Sequence, residues 1–294
     1  MIDLHLHTNN SDGTDSVEEL LENAEKQKLE IISITDHNSV GAYFELEKNP
    51  DIRSKFSGEI VIGSEIKTIF DDVNIEILAY GIDYNKINIK KENQMEVQND
   101  ALKHFVNIAK AMGLKVNEEI HVDITNPDKL YGSWVFCDEI LKYNENDEIL
   151  KKLGKVDRIT FYREHEGNKK NPFYYNTSKY YDDCQTLINK IHEAGGLAFL
   201  AHGLIYSFDD NRYSIEKILK TTDIDGLECI YPLFSNDDRE FMINLCKKYN
   251  KFMSGGSDYH AKNKPTTFMG TGINNNILVE KKIVKDWIND VRKI

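Results

Sequence analysis

Cysteine is scarce in this 294-residue chain: four residues, Cys137, Cys184, Cys229 and Cys246, with no CxxC pair and no metal-type spacing. That pattern excludes a disulfide framework and reads as reduced thiols. No apolar run approaches the ~18 residues of a membrane span. The N-terminus carries no basic stretch followed by an apolar segment, and charge begins at Asp3, so the expected address is cytoplasmic. Positive charge is also in deficit. Lys and Arg number 37 against 49 Asp and Glu, a net charge of −12, which argues against coating long duplex nucleic acid or an anionic membrane. There is no P-loop, no nucleophile elbow, no repeat and no low-complexity tract. What is present is ordinary for a folded protein, 40% hydrophobic and 29% charged, enough for a sizeable core. The length suits two domains or one barrel with an insertion.

The first 83 residues alternate strand and helix. Ile2–Leu6 reads as a strand with Ile2, Leu4 and Leu6 on one face and Asp3, His5 and His7 on the other. Ser16 to Glu19 is a capping box opening a helix with Leu20, Leu21 and Ala24 on its apolar face. Glu30–Thr35 is a second strand, Glu59–Ile66 a third and Asn74–Ile82 a fourth. Residues 90–112, 133–142 and 145–153 read as helices, and no strand pattern stands out between 90 and 180. The β/α rhythm returns with a helix over 182–194, ended by Gly195-Gly196. Strands follow at 196–202, 225–230 and 252–257, with a last helix over about 281–292. This organisation predicts an α/β fold: a barrel over 1–84 and 182–294, with a mainly helical insertion at 85–181 between its fourth and fifth strands.

Ligand-type residues fall at the C-terminal ends of those strands: His5 and His7, Asp36-His37, Glu65, His202, and Asp258 with His260, while Glu76 lies on the fourth strand. In a β/α barrel such ends converge on one face. Two histidines two apart on a strand point the same way, the geometry for chelating one metal ion. A lone pair of this kind is also compatible with two satisfied histidines; the accompanying residues favour a metal site.

In order, Asp3-Leu4-His5-Leu6-His7-Thr8 with Ser11-Asp12-Gly13, then Thr35-Asp36-His37-Asn38, Gly63-Ser64-Glu65, Ala201-His202-Gly203 and Ser257-Asp258-Tyr259-His260 resemble the motifs of the PHP (polymerase and histidinol phosphatase) family. The resemblance spans residues 3 to 260 apart from the insertion. It implies a distorted seven-stranded, TIM-like β/α barrel, two or three divalent metal ions and phosphoester hydrolysis. Carried over by residue, it implies one ion on His5, His7, Glu65 and Asp258, a second sharing Glu65 and adding His202, and a third on Asp12, His37 and His260. Asp36 and His202 are the candidate catalytic side chains, Asp36 as an orienter of its ligand neighbour. The sequence departs from the family at Glu76, where similar members carry His, and at Gly203, often Pro. A carboxylate at 76 can still bind an ion and moves the preference from zinc towards manganese or magnesium. Mn, Zn, Fe and Mg all suit the set, with Mn favoured. Three divalent ions bring about +6 against four carboxylates, leaving a pocket near +2 that would attract phosphate. Metal ions of this kind lower the pKa of a bound water and offset charge on phosphoryl oxygens.

The insertion supplies the candidate substrate reader. Residues 151–181 hold eight Lys/Arg against three Asp/Glu, together with Phe161, Tyr162, Phe173, Tyr174, Tyr175, Tyr180 and Tyr181. Cations for phosphate and rings for stacking suit a nucleotide or a short oligonucleotide. Arg163, Lys169, Lys170 and Tyr206 are the candidate contacts; alternatively, the tyrosines pack the insertion's own core. The long insertion is similar to that of family members acting on nucleotides. His104, His121, His165 and His192 read as surface or packing residues, and Tyr259 as pointing away from its neighbours. A barrel amidohydrolase and a degenerate, non-catalytic metal-binding module remain alternative readings. Oligomeric state is left open by the sequence.

Overall fold

A computed structural model describes residues 1–90, 93–123 and 125–294, the side chains at 94, 127 and 163 excepted. The chain divides into two compact units. One comprises Met1–Asp71, Ile75–Lys90 and Asp182–Ile294; the other comprises Asp72–Asn74 and Lys91–Tyr181.

The first unit is built on a seven-stranded sheet in the order β1 to β7: β1 Ile2–Leu6, β2 Ile31–Ile34, β3 Glu59–Phe70, β4 Val73–Tyr80, β5 Leu197–Leu200, β6 Gly226–Ile230 and β7 Phe252–Gly255. β1, β2 and β3 are parallel, as are β5, β6 and β7. The helix between β1 and β2, Val17–Lys26, opens on the Ser16–Glu19 capping box and buries Val17, Leu20, Leu21 and Ala24. β1, β2 and β6 are buried along their whole length, as strands covered on both faces must be.

The fold is mixed α/β around a curled seven-stranded sheet. The sheet is mixed, because β3 and β4 are joined directly by Asp71 and Asp72, both left-handed at φ 48° and 56°. Two positive-φ residues are what a tight two-residue hairpin requires. β4 therefore runs against the sheet and pairs antiparallel with β5. The reversal also lengthens the third strand past the expected Ile66 to Phe70. The edges of the sheet come together just beyond β7. The Asp258 N–H donates to the His5 carbonyl and the His7 N–H to the Tyr259 carbonyl, each at 2.9 Å.

Beneath the sheet, Ile2, Leu4, Val61, Leu78, Tyr80, Phe199, Val284 and Trp287 form one apolar cluster. The Tyr80 hydroxyl donates to the Leu4 carbonyl and the Trp287 indole to the Met253 carbonyl. The expected last helix shrinks to Lys281–Val284. Beyond it the chain turns, which buries Trp287 and Ile288 together in this cluster.

The second unit is helical, led by Gln94–Ala111 and Gly132–Ile140, with Asp147–Leu153 and a π-helical turn at Phe161–Glu166. Phe105, Phe136, Phe161 and Phe173 are fully buried at its centre, with neighbouring rings 5.2–5.6 Å apart. Among the described residues, no helix is long and apolar enough to cross a membrane.

Candidate metal centre

The first unit gathers the histidines and carboxylates of six separate sequence stretches into one cluster. β1 carries His5, and His7 follows directly. Asp36 and His37 follow β2. Glu65 is the seventh residue of β3 rather than its last, level with His37 through a bridge between the two backbones. Because β4 is reversed, its first half lies level with the C-terminal ends of its neighbours. This is how Glu76, on β4, reaches the same cluster.

Glu65 is its centre. Oε2 lies 3.1 Å from His5 Nε2, 3.3 Å from His7 Nε2 and 3.2 Å from His37 Nδ1, and Oε1 lies 2.9 Å from His202 Nε2. Glu76 spans the opposite side, 3.4 Å from both His37 Nδ1 and His202 Nε2. Asp258 Oδ1 stands 3.6, 3.4 and 3.3 Å from ring nitrogens of His5, His7 and His260. Asp12 lies 3.1 Å from His260 and 3.8 Å from both His7 and His37. Among the described residues, three groups have donor atoms close enough to share an ion: His5, His7 and Glu65; His37, Glu65 and Glu76; and His7, Asp12, His37 and His260.

These residues fit metal ions. Both ring nitrogens of His7, Nδ1 of His37 and Nδ1 of His202 are buried without a hydrogen bond, a costly state for a polar atom. The donors are nitrogen and oxygen only, which suits Mn, Zn, Fe or Mg.

The charge states follow from the crowding. Burial works against protonation of His5, His7 and His202, but the surrounding carboxylates outweigh it and raise all three, His7 to about 9. His37 goes the other way, to about 3, because burial prevails over its carboxylate neighbours. Glu76 is pushed up to about 7 by burial and then by the charge of Glu65. Burial opposes ionisation of Glu65, Asp258 and Asp12, yet the histidines hold all three below the usual carboxylate range.

Several surrounding residues escaped the sequence reading. Glu228 on β6 is completely buried, with Oε1 2.9 Å from His5 Nδ1 and Oε2 accepting the His202 N–H at 2.7 Å. Its signal was an acid in the middle of the apolar strand GLECI. Asp3 is buried and accepts backbone N–H groups of His5, Ser257 and Gly270, stitching β1 to the segment after β7. Tyr231 and Lys264 both bond Asp258 Oδ2. His202 is left-handed, at φ 25° and ψ 46°, and such strain in a non-glycine residue costs about 1–3 kcal/mol.

Other candidates occupy plainer roles. Asp36 accepts from the Thr8 N–H, the Thr8 hydroxyl and the Ser11 hydroxyl, each at 2.7 Å, and so shapes the loop after His7. The Tyr206 hydroxyl accepts the Glu76 N–H and donates to the Ala201 carbonyl. Its ring, 5.4 Å from that of His202, is what it can offer a substrate. Tyr259 turns away and donates to Asp15. His192 pairs with Asp225, and His165 is buried against the Lys155 carbonyl and Asn171.

In the second unit the basic surplus is largely neutralised in place. Arg158 bridges Asp128 and Asp138, while Lys151, Lys155 and Lys179 pair with Glu148, Asp157 and Asp100. Lys169 lies 3.7 Å from Asp72, and the Lys170 N–H bonds the Asn168 side chain. The side chain of Arg163 lies outside those described. Phe161 and Phe173 are not stacking platforms: they belong to the unit's core, where burial of large apolar rings outweighs display to a ligand.

Comparison with known proteins agrees with this construction. The PHP domain family model matches residues 3–198. A 5'-3' exoribonuclease of Haemophilus influenzae is 27% identical over 266 residues, 88% of this chain and 89% of that protein. A phosphoribosyl 1,2-cyclic phosphate 1,2-diphosphodiesterase of Eggerthella lenta is 24% identical over 272 residues, 88% and 94% of the two chains. Among solved structures, an amidohydrolase of Chromobacterium violaceum with bound sulfate and no metal superposes with a TM-score of 0.59 at 21% identity, covering 90% of this chain and 88% of that one. The match of the family model over two thirds of the sequence places this chain in the PHP domain family.

Proposed function

We propose that this PHP-family hydrolase cleaves phosphate esters of nucleotides, nucleoside bisphosphates or short oligonucleotides at the cluster centred on Glu65. The carrying observation is that Glu65 meets four histidines within 3.3 Å while both His7 ring nitrogens are buried without a hydrogen bond. The names of the two curated relatives, one acting on RNA and one on a cyclic ribose phosphate, support a nucleotide-related ester.

His5, His7, Glu65 and Asp258 would hold one ion, Glu65, Glu76 and His202 a second, and Asp12, His37 and His260 a third. When bound, such ions supply Lewis-acid charge that acidifies water and offsets charge on phosphoryl oxygens. The protein's own part is positional. Glu65 and Asp258 draw the histidine rings together, Asp36 holds the loop after His7, and the strained turn at His202 aims its ring at Glu65. The Tyr206 ring flanks the site beside His202. Lys169, Lys170 and Arg163 are proposed as contacts for further phosphates of the substrate.

The test is phosphate release, with Mn²⁺ supplied, from nucleoside mono- and bisphosphates, histidinol phosphate and a short 5′-phosphorylated RNA. Release should vanish on chelation and in His7→Ala. Silence across the panel from protein shown to carry metal would overturn the phosphoesterase reading and turn the search to C–N bond hydrolysis. Protein that holds no metal would point to a degenerate module instead. Arg163→Ala should raise KM for phosphorylated substrates with little change in kcat; an unchanged KM removes Arg163 from the site.

A further inference from the structure

One buried acid touches two candidate ligands from behind. Glu228 has no solvent exposure and lies on β6, between the strands that bear His202 and the Asp258 segment. Its Oε1 is 2.9 Å from His5 Nδ1 and its Oε2 accepts the His202 N–H at 2.7 Å. The two contacts differ in kind. The backbone N–H can only donate, so Oε2 can only accept. The imidazole edge has a choice of tautomer.

We propose that Glu228 is a positioning residue that sets the metal-binding form of His5 and the backbone conformation of His202 at once. It rests on the reading that the Glu65 cluster holds metal ions. By accepting from Nδ1–H, Glu228 leaves Nε2 of His5, 3.1 Å from Glu65 Oε2, as the atom that would meet an ion shared with that carboxylate. A ligand histidine whose second nitrogen donates to a carboxylate is held in one tautomer and one orientation, and is more basic towards the ion. The other oxygen pins a residue at φ 25°, a conformation that a non-glycine residue keeps only when its surroundings over-determine it. That turn presents His202 Nε2 to Glu65 Oε1 at 2.9 Å. One carboxylate therefore fixes two rings that approach Glu65 by its two different oxygens.

The proposal predicts that an amide cannot replace the acid. In Glu228→Gln, one of the two donors must face an NH₂ group. If the amide oxygen stays with His5, the His202 N–H loses its acceptor. If it turns to His202, His5 must carry its proton on Nε2 and can no longer ligate there.

The experiment uses the full chain with zinc, which is diamagnetic. Nitrogen-15 NMR reads the protonated ring nitrogen of His5 and the amide exchange of His202, while competition with a chromogenic chelator reads zinc affinity. The expected result for Glu228→Gln is zinc binding weaker by about 10–100-fold, together with either loss of the Nδ1 proton of His5 or selectively faster exchange at the His202 amide. Unchanged affinity with both NMR signatures intact overturns the proposal. So does exchange that rises equally at all core amides, which is the mark of general destabilisation. Should Glu228→Gln fail to fold, Glu228→Asp keeps the charge but is one methylene too short to bridge both donors. It should show the same loss, and wild-type zinc affinity in that variant overturns the proposal as well. Phosphate release is measured separately, so an inactive wild type with intact zinc and NMR behaviour would sink the phosphoesterase reading and leave Glu228 in place.

Discussion

At the scale of single residues, the cluster stores protons where ions would bind. His7, raised to about 9, carries a proton at neutral pH in ion-free protein. His5 and His202 are raised as well, and Glu76, raised to about 7, carries a further proton at mildly acidic pH. His37, at about 3, carries none. An ion must displace the proton of His7 at any pH below about 9 and that of Glu76 below about 7. Zinc or manganese affinity is therefore expected to climb with pH between 6 and 9. Titrations at pH 6, 7, 8 and 9 with proton release recorded would check this; a flat profile would contradict it. The sign for folding is opposite. The contribution of the His7 shift to the ion-free fold is fully present below about pH 6.5 and is lost as pH rises through about 9. These residues were legible in the sequence because ligation demands particular side chains at strand ends. Glu228 was not, because its role depends on which strand lies behind His5, and that is a matter of sheet order.

At the scale of elements, close approach of β1 to the chain after β7 governs the site. A Cβ added at Gly256 would stand 2.4 Å from His5 Cβ and 2.5 Å from the His5 nitrogen. Both neighbours are on or next to the backbone of a buried strand, so neither yields cheaply. Gly256→Ala is expected to cost about 1–3 kcal/mol and to displace His5. Thermal unfolding and zinc titration would both register it, and a variant with unchanged Tm and affinity would show that the edges can slide. The strand rhythm of FMSGGS was readable in advance. The need for glycine there was not, since it comes from a partner more than 250 positions away. The hairpin at Asp71-Asp72 escaped for another reason. Two aspartates lack the glycine that usually marks such a turn, so the run looked like one strand ending and another beginning apart from it.

At the scale of the whole molecule, ions that bind only the folded state add to its stability by mass action, about 2.7 kcal/mol for free ion at one hundred times its dissociation constant. Chelation should lower Tm by roughly 5–10 °C, reversibly and more for protein loaded with zinc or manganese than for protein never loaded. A Tm indifferent to chelator would mean that the cluster is not filled in the folded protein. The second unit has its own aromatic core, and its surface charges are mostly paired among themselves.

The sequence by itself determined the chemistry available to this protein: a thiol-poor, acidic chain with an ordered set of histidines and carboxylates at predicted strand ends. Ligand identity is a property of side chains, and strand ends are marked locally by alternation and glycine. Only the tertiary structure decided how those groups meet. The reversal at β4 carries Glu76 to the same end of the sheet as Glu65, and the place of β6 between β5 and β7 sets Glu228 behind His5 and His202. The contact of Glu228 with His5 spans 223 positions, a separation at which no local pattern operates and only burial, strand order and hydrogen-bond satisfaction select the partner.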